Sequence, residues 1–241
     1  IRIYSDQKKL EQALRKREIM AAAAYNFSQS NKDFTIYNLS LPRFKYLFFN
    51  LSRPVLQDKN LRGKLKNRQN LDKEVNLQLL TDDQEENLAE SQKIKDDFEK
   101  LGAKITIVSH DQTTLLQDDL PQRNFDLLLY TIDYGPDPDP YPFWHSSQTI
   151  SPNLNLSGFA NAKADKLLED SRTIIDAKAR QEKYLEFWKI FDEEAPAINL
   201  GQVVFKYQVS NVLKGIDLKE GAKPTDRFQG AEKWYIKSRR K

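Results

Sequence analysis

One short segment, residues 131–145, brings together side chains whose types suit ligand binding. It alternates aspartate with proline and then supplies Tyr141, Phe143, Trp144 and His145. Aromatic side chains offer apolar faces to the side chains of a ligand, and they serve equally well as a hydrophobic plug for the loop that carries them. We treat this segment as the candidate binding site and keep both roles open for its aromatic residues.

Two carboxylates of the segment, Asp137 and Asp139, are separated by prolines. Calcium loops need several oxygens that converge on the ion, usually with a glycine that permits a sharp turn. Alternating prolines favour an extended chain that points the carboxylates apart, so we predict a stiff loop without a metal site. His110 and His145 are distant in sequence, and each is predicted to be an isolated surface histidine.

The sequence contains none of the common catalytic motifs. It has no G-x-S-x-G, no H-E-x-x-H, no phosphate loop and no G-x-G-x-x-G. Its 35 acidic residues leave a glycosidase-like pair of carboxylates open, because such a pair is defined by its separation in three dimensions. We predict that the protein is not an enzyme and that it has neither catalytic residues nor a cofactor.

The charge balance argues against a nucleic-acid partner. In a chain of 241 residues, 38 basic and 35 acidic residues leave a formal net charge of +3. The absence of cysteine excludes disulfides and thiolate metal sites. No apolar run approaches the roughly 20 residues needed to span a bilayer. Because the chain begins at Ile1 rather than at an initiator methionine, we expect an excised or processed piece.

Strands and helices must position the loop, and the sequence predicts both. An apolar run at 125–130 predicts a buried strand that leads directly into it. Further strands are predicted at 34–39, 45–51, 77–80, 105–108 and 198–210, with a bend at Pro42, and helices at 5–19, 82–101, 162–171 and 177–194. A helix between neighbouring strands favours parallel pairing. Loops at the ends of such strands are where α/β proteins place ligands.

Two segments fit this pattern poorly. Residues 58–75 are polar and aperiodic, so we predict a surface loop there, or the scar of a shortened connection. Residues 227–238 are short, aromatic and basic, and they are predicted to form a last strand.

Several short motifs occur in an order that resembles one protein family. They are the helix end Ala13-Leu14-Arg15-Lys16-Arg17-Glu18-Ile19, the strand Tyr46-Leu47-Phe48-Phe49-Asn50 with Pro54, Asp58, Leu61 and Arg62 after it, Leu79 with Thr81, the Asp133-Tyr134 loop, Gly158-Phe159-Ala160-Asn161, and Asp226-Arg227-Phe228 with Trp234. The chain resembles the extracytoplasmic solute-binding proteins of peptide-type ABC importers, the oligopeptide- and dipeptide-binding group (solute-binding protein family 5). It departs from them at Arg17, where they have glycine, and in a much shorter connection across 58–75.

The resemblance implies an α/β fold, a periplasmic-binding-protein-like (class II) lobe in which helices flank a mixed sheet. It assigns residues 1–37 to the N-terminal lobe and hinge, 38–210 to the C-terminal lobe with a ligand-facing loop at 131–148, and 211–241 to a return segment. Two-lobed binders close on their ligand by hinge motion, so an incomplete binder is expected to bind weakly or not at all.

The resemblance also implies a function in which Asp133 is the central residue. Asp133 matches the family's aspartate that pairs with the α-amino group of a bound peptide, and its alternative role is to cap the turn of the loop. The implied ligand-binding set is Asp133, Tyr134, Tyr141, Phe143, Trp144 and His145. We expect a monomer outside the cytoplasm, in the periplasm or anchored at the cell surface, that passes peptides to a membrane permease. The alternatives are another solute, such as a nickel chelate, haem or an oligosaccharide, and a non-catalytic interaction domain.

Overall fold

The computed structural model describes residues 2–4, 6–24, 33–218 and 221–236. Its contacts divide the chain into two units. Unit 1 consists of Ile1–Arg43 and Gln202–Lys241, and unit 2 of Phe44–Gly201. The assignment of residues 1–37, 38–210 and 211–241 to the lobes of a longer protein stays a prediction.

Helices and strands alternate along most of the chain. The helices are α1 (Gln7–Arg15), α2 (Lys59–Lys66), α3 (Glu85–Lys100), α4 (Gln112–Thr114), α5 (Leu120–Gln122), α6 (Tyr141–Trp144), α7 (Ala162–Thr173) and α8 (Ala177–Glu194). The strands are β1 (Ala21–Ala24), β2 (Phe34–Phe49), β3 (Val75–Asp82), β4 (Ala103–His110), β5 (Leu127–Asp133), β6 (Ala197–Ser210), β7 (Leu213–Lys214) and β8 (Tyr235–Ile236). No helix in the described ranges is long and apolar enough to cross a membrane.

The sheet of unit 2 has the strand order β6, β2, β5, β3, β4. β3 pairs in parallel with β4 from Val75↔Ala103 to Asp82↔His110, and it pairs in parallel with β5 at Leu79↔Leu127. The predicted parallel pairing is confirmed. The order places β5, which leads into the candidate loop, between two other strands.

Both faces of this sheet are covered. Successive side chains of a strand point to opposite faces, and in β5 Leu128 and Ile132 join one hydrophobic cluster while Leu127 and Leu129 join another. The first cluster contains residues of α7 and α8, namely Ala164, Leu167, Leu168, Phe187 and Phe191. The second contains residues of α2 and α3, namely Leu61, Leu65, Ile94 and Phe98. Helices therefore flank the sheet, as predicted.

Unit 1 is built around an antiparallel pair. β1 and β6 pair from Ala21↔Val209, so the strands of the chain form both parallel and antiparallel ladders. In α1, Asp6 caps the first turn by accepting a hydrogen bond from the backbone N–H of Lys8 at 2.7 Å. Leu14 of that helix is buried with Ala22 and Phe34. A mixed sheet is the expected fold class, and this expectation is confirmed.

The predicted bend at Pro42 is wrong, because β2 is one continuous strand of 16 residues. The fixed φ of proline lies within the extended region, so the ring fits a strand wherever its missing N–H is not needed. Next to it, the Leu41 carbonyl accepts a hydrogen bond from the side-chain amide of Gln202 at 2.8 Å.

The loop predicted at 58–75 is also wrong, because α2 occupies its first half. Asp58 caps this helix by accepting a hydrogen bond from the Asn60 N–H at 2.9 Å. Leu61 and Leu65 lie four residues apart, so both face the core.

The strand predicted at 227–238 is wrong for most of its length. Two 3₁₀ turns, Pro224–Phe228 and Ala231–Lys233, cover much of this region, and β8 contains two residues.

Arg62 of α2 is buried and ties that helix to the end of α8. Its guanidinium donates to the carbonyls of Ala195 (3.1 Å) and Glu194 (2.7 Å) at the C-terminus of α8, and to those of Leu56 (2.7 Å) and Gln57 (3.1 Å). The last carbonyls of a helix have no partner within it and carry partial negative charge, so a cation suits this position. Burial lowers the pKa of the Arg62 guanidinium below its ordinary value.

Candidate functional site

Asp133 is the last residue of β5 and is exposed, whereas Ile132 before it and Tyr134 after it are buried. Its Oδ1 accepts a hydrogen bond from the Gly135 N–H at 2.9 Å. Gly135 has a φ of +72°, a left-handed conformation that glycine adopts without strain. Asp133 therefore caps the turn of the loop, which is one of the two roles predicted for it. A carboxylate accepts several hydrogen bonds, so its pairing with an ammonium group stays a prediction.

The residue that follows Asp133 belongs to a buried hydrogen-bonded network. The Tyr134 hydroxyl accepts a hydrogen bond from Nε1 of Trp144 at 2.9 Å and lies 3.1 Å from the hydroxyl of Tyr46 on β2. Burial raises the pKa of Tyr46 to about 12 and the pKa of Tyr134 well above its ordinary value. Both phenols therefore stay protonated at neutral pH.

Trp144 of α6 is fully buried and anchors the far end of the loop. Its ring stacks on Phe48 at a centroid distance of 5.4 Å and an interplanar angle of 18°. It also meets Tyr46 at 5.4 Å and Phe191 of α8 at 4.5 Å, both edge-on. Edge-on and stacked contacts of this kind stabilise a core beyond the area they bury. For Trp144 the structure thus provides the hydrophobic plug that was one of its two predicted roles.

Half-buried Tyr141 lies against the ring of buried His145. Their rings stack at a centroid distance of 4.2 Å and an interplanar angle of 22°. The guanidinium of Arg172 on α7 lies over the Tyr141 ring at 4.4 Å, within the range of a cation–π contact. The Tyr141 hydroxyl lies 3.2 Å from Oγ of Ser147. Tyr141 therefore has its ring fixed by neighbours while part of its surface stays open to solvent.

His145 is 6% exposed, so its prediction as a surface histidine is wrong. Its Nδ1 accepts a hydrogen bond from the Ser147 N–H at 3.1 Å. Because a backbone N–H only donates, the proton of the neutral imidazole lies on Nε2, which faces Oε1 of Glu169 at 3.3 Å. His110 is paired with Asp119 at 2.7 Å, and this hydrogen bond raises the pKa of His110 above its ordinary value.

Two arginines hold the acidic part of the loop. Arg180 of α8 pairs with Asp137 at 3.1 Å, and Arg172 of α7 pairs with Asp139 at 3.2 Å. The two carboxylates thus pair with different arginines, but the extended chain predicted from the alternating prolines is wrong, because residues 135–138 form turns. Sequence reasoning did not connect either arginine with the loop, because each follows its aspartate by more than 30 residues and looks like an ordinary surface charge of a helix.

Asn155 was also missed, and it fixes the chain that leaves the loop. This side chain is 1% exposed; its Nδ2 donates to the carbonyls of His145 (3.0 Å) and Phe159 (2.8 Å). Its Oδ1 accepts from the Ser157 hydroxyl (3.1 Å) and the Phe159 N–H (3.1 Å). The available signal was an asparagine set between two leucines, a buried environment that an amide tolerates only when its hydrogen bonds are satisfied.

The six residues predicted to bind a ligand therefore fall into two layers. Asp133 is exposed and Tyr141 and Phe143 are half-buried, so these three face solvent at least in part. Tyr134, Trp144 and His145 are buried and support the loop from below. Contact of any of the six with a ligand stays a prediction.

A curated relative links this chain to peptide-binding proteins. No family model matches the chain. It is 27% identical over 146 residues to the oligopeptide-binding protein AppA of Bacillus subtilis, a match that covers 59% of this chain and 26% of AppA.

Solved structures share its fold. AppA from Clostridium difficile, described as a putative peptide-binding protein, superposes with a TM-score of 0.83 at 18% identity, covering 98% of this chain and 60% of that chain. AppA from Bacillus subtilis in complex with a nonapeptide gives a TM-score of 0.72 at 17% identity, with coverages of 98% and 60%. NikZ from Campylobacter jejuni in complex with Ni(L-His) gives 0.69 at 16% identity, with coverages of 95% and 60%.

The matched region is about a quarter of the length of the curated relative. The chain covers 60% of each of these three solved structures. The family resemblance and the fold class expected from the sequence are both confirmed. The chain is homologous to an oligopeptide-binding protein and has the fold of the peptide-type solute-binding proteins, of which it covers a part.

Proposed function

We propose that the chain is part of the substrate-binding component of an ABC transporter that captures peptides outside the cytoplasmic membrane for import. The homology to an oligopeptide-binding protein supports this proposal. The observation that carries it is Asp133, an exposed carboxylate at the end of a central strand, between two buried neighbours.

The chemistry of the site suits the N-terminus of a peptide. An α-amino group has a pKa of about 8, so it is an ammonium ion at neutral pH, and a fixed carboxylate binds it through a charge-assisted hydrogen bond. Tyr141 and Phe143 are half-buried residues of the same loop and offer apolar surface to the first side chains of the peptide. A loop that is already held in place loses little conformational entropy on binding, which favours affinity.

The rest of the proposal concerns the longer protein. It acts by binding and not by catalysis, works as a monomer, and delivers the peptide to a membrane permease of the transporter. Asp133 takes the ammonium group, and Tyr134, Trp144 and His145 contribute by holding the loop that carries it. A different solute is the alternative, and the structural likeness to NikZ in complex with Ni(L-His) favours a metal chelate as the first one to test.

The test is calorimetric titration of the protein produced from its complete gene, using a short peptide and the same peptide with an acetylated N-terminus. We expect acetylation and Asp133→Asn each to weaken binding by about tenfold or more, because each removes one partner of an ion pair. Asp118→Asn, at another exposed aspartate of unit 2, is the matched control and should bind like the unchanged protein.

Three outcomes would contradict parts of the proposal. Equal affinity for both peptides would show that no carboxylate of the protein pairs with the α-amino group of the peptide. Binding of Ni(L-His), haem or an oligosaccharide in place of peptides would assign another solute. Failure to bind any of these would favour the interaction-domain alternative.

A further inference from the structure

We propose that Tyr134 is the positioning residue of the site, and that its hydroxyl sets where the Asp133 carboxylate lies. This inference rests on the proposed function, because it assumes that Asp133 binds the ligand. Tyr134 itself was predicted to touch the ligand, and the proposal gives it an indirect role instead.

The first argument is the alternation of side chains at the end of β5. Ile132 and Tyr134 are 1% and 9% exposed and belong to the same hydrophobic cluster. Tyr134 directly follows the last residue of β5 and continues the alternation of the strand, so Asp133 between Ile132 and Tyr134 is directed away from that cluster. The orientation of the carboxylate therefore depends on how firmly Tyr134 is held.

The second argument is that one hydroxyl joins three parts of the structure. The Tyr134 oxygen accepts from Nε1 of Trp144, which is a donor only, and it also shares a hydrogen bond with the hydroxyl of Tyr46. Trp144 lies at the end of α6 and Tyr46 lies on β2. The hydroxyl thus connects the beginning of the loop, the end of the loop and the neighbouring strand.

The third argument is the fixed orientation of the Tyr134 ring. Phe143 meets it edge-on at a centroid distance of 5.1 Å, and Phe44 meets it edge-on at 5.8 Å. These contacts leave the ring in place when the hydroxyl is removed. Tyr134→Phe therefore tests the hydrogen bonds separately from the packing of the ring.

A purely structural role is the competing explanation. In that case Tyr134→Phe would lower stability without acting on Asp133 in particular. The two explanations differ in a double-mutant cycle, because a residue that acts through Asp133 loses its influence on binding once the carboxylate has been removed.

The experiment is calorimetric titration of four proteins with the free-amine peptide: the unchanged chain, Tyr134→Phe, Asp133→Asn and the double variant. We expect Tyr134→Phe to weaken binding by about tenfold, because it removes the hydroxyl that links Trp144 and Tyr46 in the buried hydrogen-bonded network. In the Asp133→Asn background the same change should alter affinity by less than about twofold. Tyr207→Phe, at a buried tyrosine of unit 1, is the matched control and should leave affinity unchanged.

The outcomes separate failure of this inference from failure of the proposed function. If Asp133→Asn weakens binding but Tyr134→Phe does not, or if Tyr134→Phe has the same effect in both backgrounds, the positioning role is wrong and the ammonium site stands. If Asp133→Asn itself has no effect, both are wrong. If Tyr134→Phe does not fold, Tyr46→Phe takes its place in the cycle. It removes one hydrogen bond from the Tyr134 hydroxyl, and the same coupling to Asp133 is expected with a smaller amplitude.

Discussion

Replacement of Arg62 by methionine should strongly destabilise unit 2. The methionine side chain fills much of the same volume but donates no hydrogen bond. Two of the four carbonyls that accept from the guanidinium, those of Ala195 and Leu56, make these hydrogen bonds in buried surroundings. A buried polar group that loses its partner costs about 1–3 kcal/mol. The other two carbonyls, of Gln57 and Glu194, are only partly buried, and water can replace the guanidinium there.

The expected loss is therefore about 3 kcal/mol in the free energy of unfolding, from the two buried carbonyls, with part of the cost recovered because a guanidinium no longer needs to be desolvated. The backbone conformation of Ala195 is a second reason to expect this loss of stability. Ala195 has a φ of +47°, a left-handed conformation that is unfavourable for alanine, and the hydrogen bond from Arg62 holds it there.

Urea denaturation followed by circular dichroism measures this loss, and the midpoint should fall by about 1 M. Lys59→Met on the same helix is the matched control, because Lys59 pairs with Glu194 at the end of α8 but is 53% exposed. Exposed ion pairs contribute about 0–1 kcal/mol, so this variant should stay close to the unchanged protein. If Arg62→Met is no less stable than Lys59→Met, the carbonyls find other partners and the reasoning is refuted.

Three further predictions concern tyrosine, histidine and asparagine side chains. Because the pKa of Tyr46 is raised from 10.0 to about 12, the folded state holds this proton more tightly than the unfolded state does, and the resulting stability should be lost as the pH rises from 10 to 12. Unfolding followed by phenolate absorbance would check this, and Tyr46→Phe should remove that part of the pH dependence. The pKa of His110, measured by NMR, should lie above 6.5 and fall in Asp119→Asn, because the carboxylate of Asp119 stabilises the protonated ring; an unchanged pKa would contradict this pairing. Asn155→Ala should cost about 2–4 kcal/mol in thermal or urea unfolding, since it leaves several buried groups without a partner, and a loss below about 0.5 kcal/mol would show that water replaces the amide.

The parallel core of unit 2 could be predicted because its residues follow simple patterns. Apolar runs within β3 and β4, with a helix between them that ends before Gly102, predict a strand–helix–strand unit without further information. α2 escaped prediction because its buried face consists of two leucines and Arg62 within a strongly basic run. No local pattern distinguishes an arginine that will meet four carbonyls from one that will face water. Pro42 misled the prediction of β2 for a similar reason, since its tolerance in a strand depends on what lies beside it.

The candidate site, like the fold, could be predicted only where local sequence patterns determine it. The apolar run at 125–130 predicts a strand shortly before Asp133, but β5 continues through Asp133 itself, three residues beyond the predicted end. The burial of Tyr134, Trp144 and His145 could not be predicted in this way, because it depends on contacts with distant segments such as Tyr46, 88 residues before Tyr134. From their residue types alone, these side chains could equally well contact a ligand or form the core of the loop.

The aromatic packing around Trp144 also has a consequence for the order of events during synthesis. Phe191 lies on α8, which follows the loop in the chain, and it contacts the indole ring at 4.5 Å. When the loop leaves the ribosome, the helix that completes its support has not yet emerged. Contacts between segments distant in sequence also form late in folding, because closing a long loop costs entropy first. A nascent chain that stops before α8 would therefore carry the whole loop but lack the aromatic contact that Phe191 makes with Trp144.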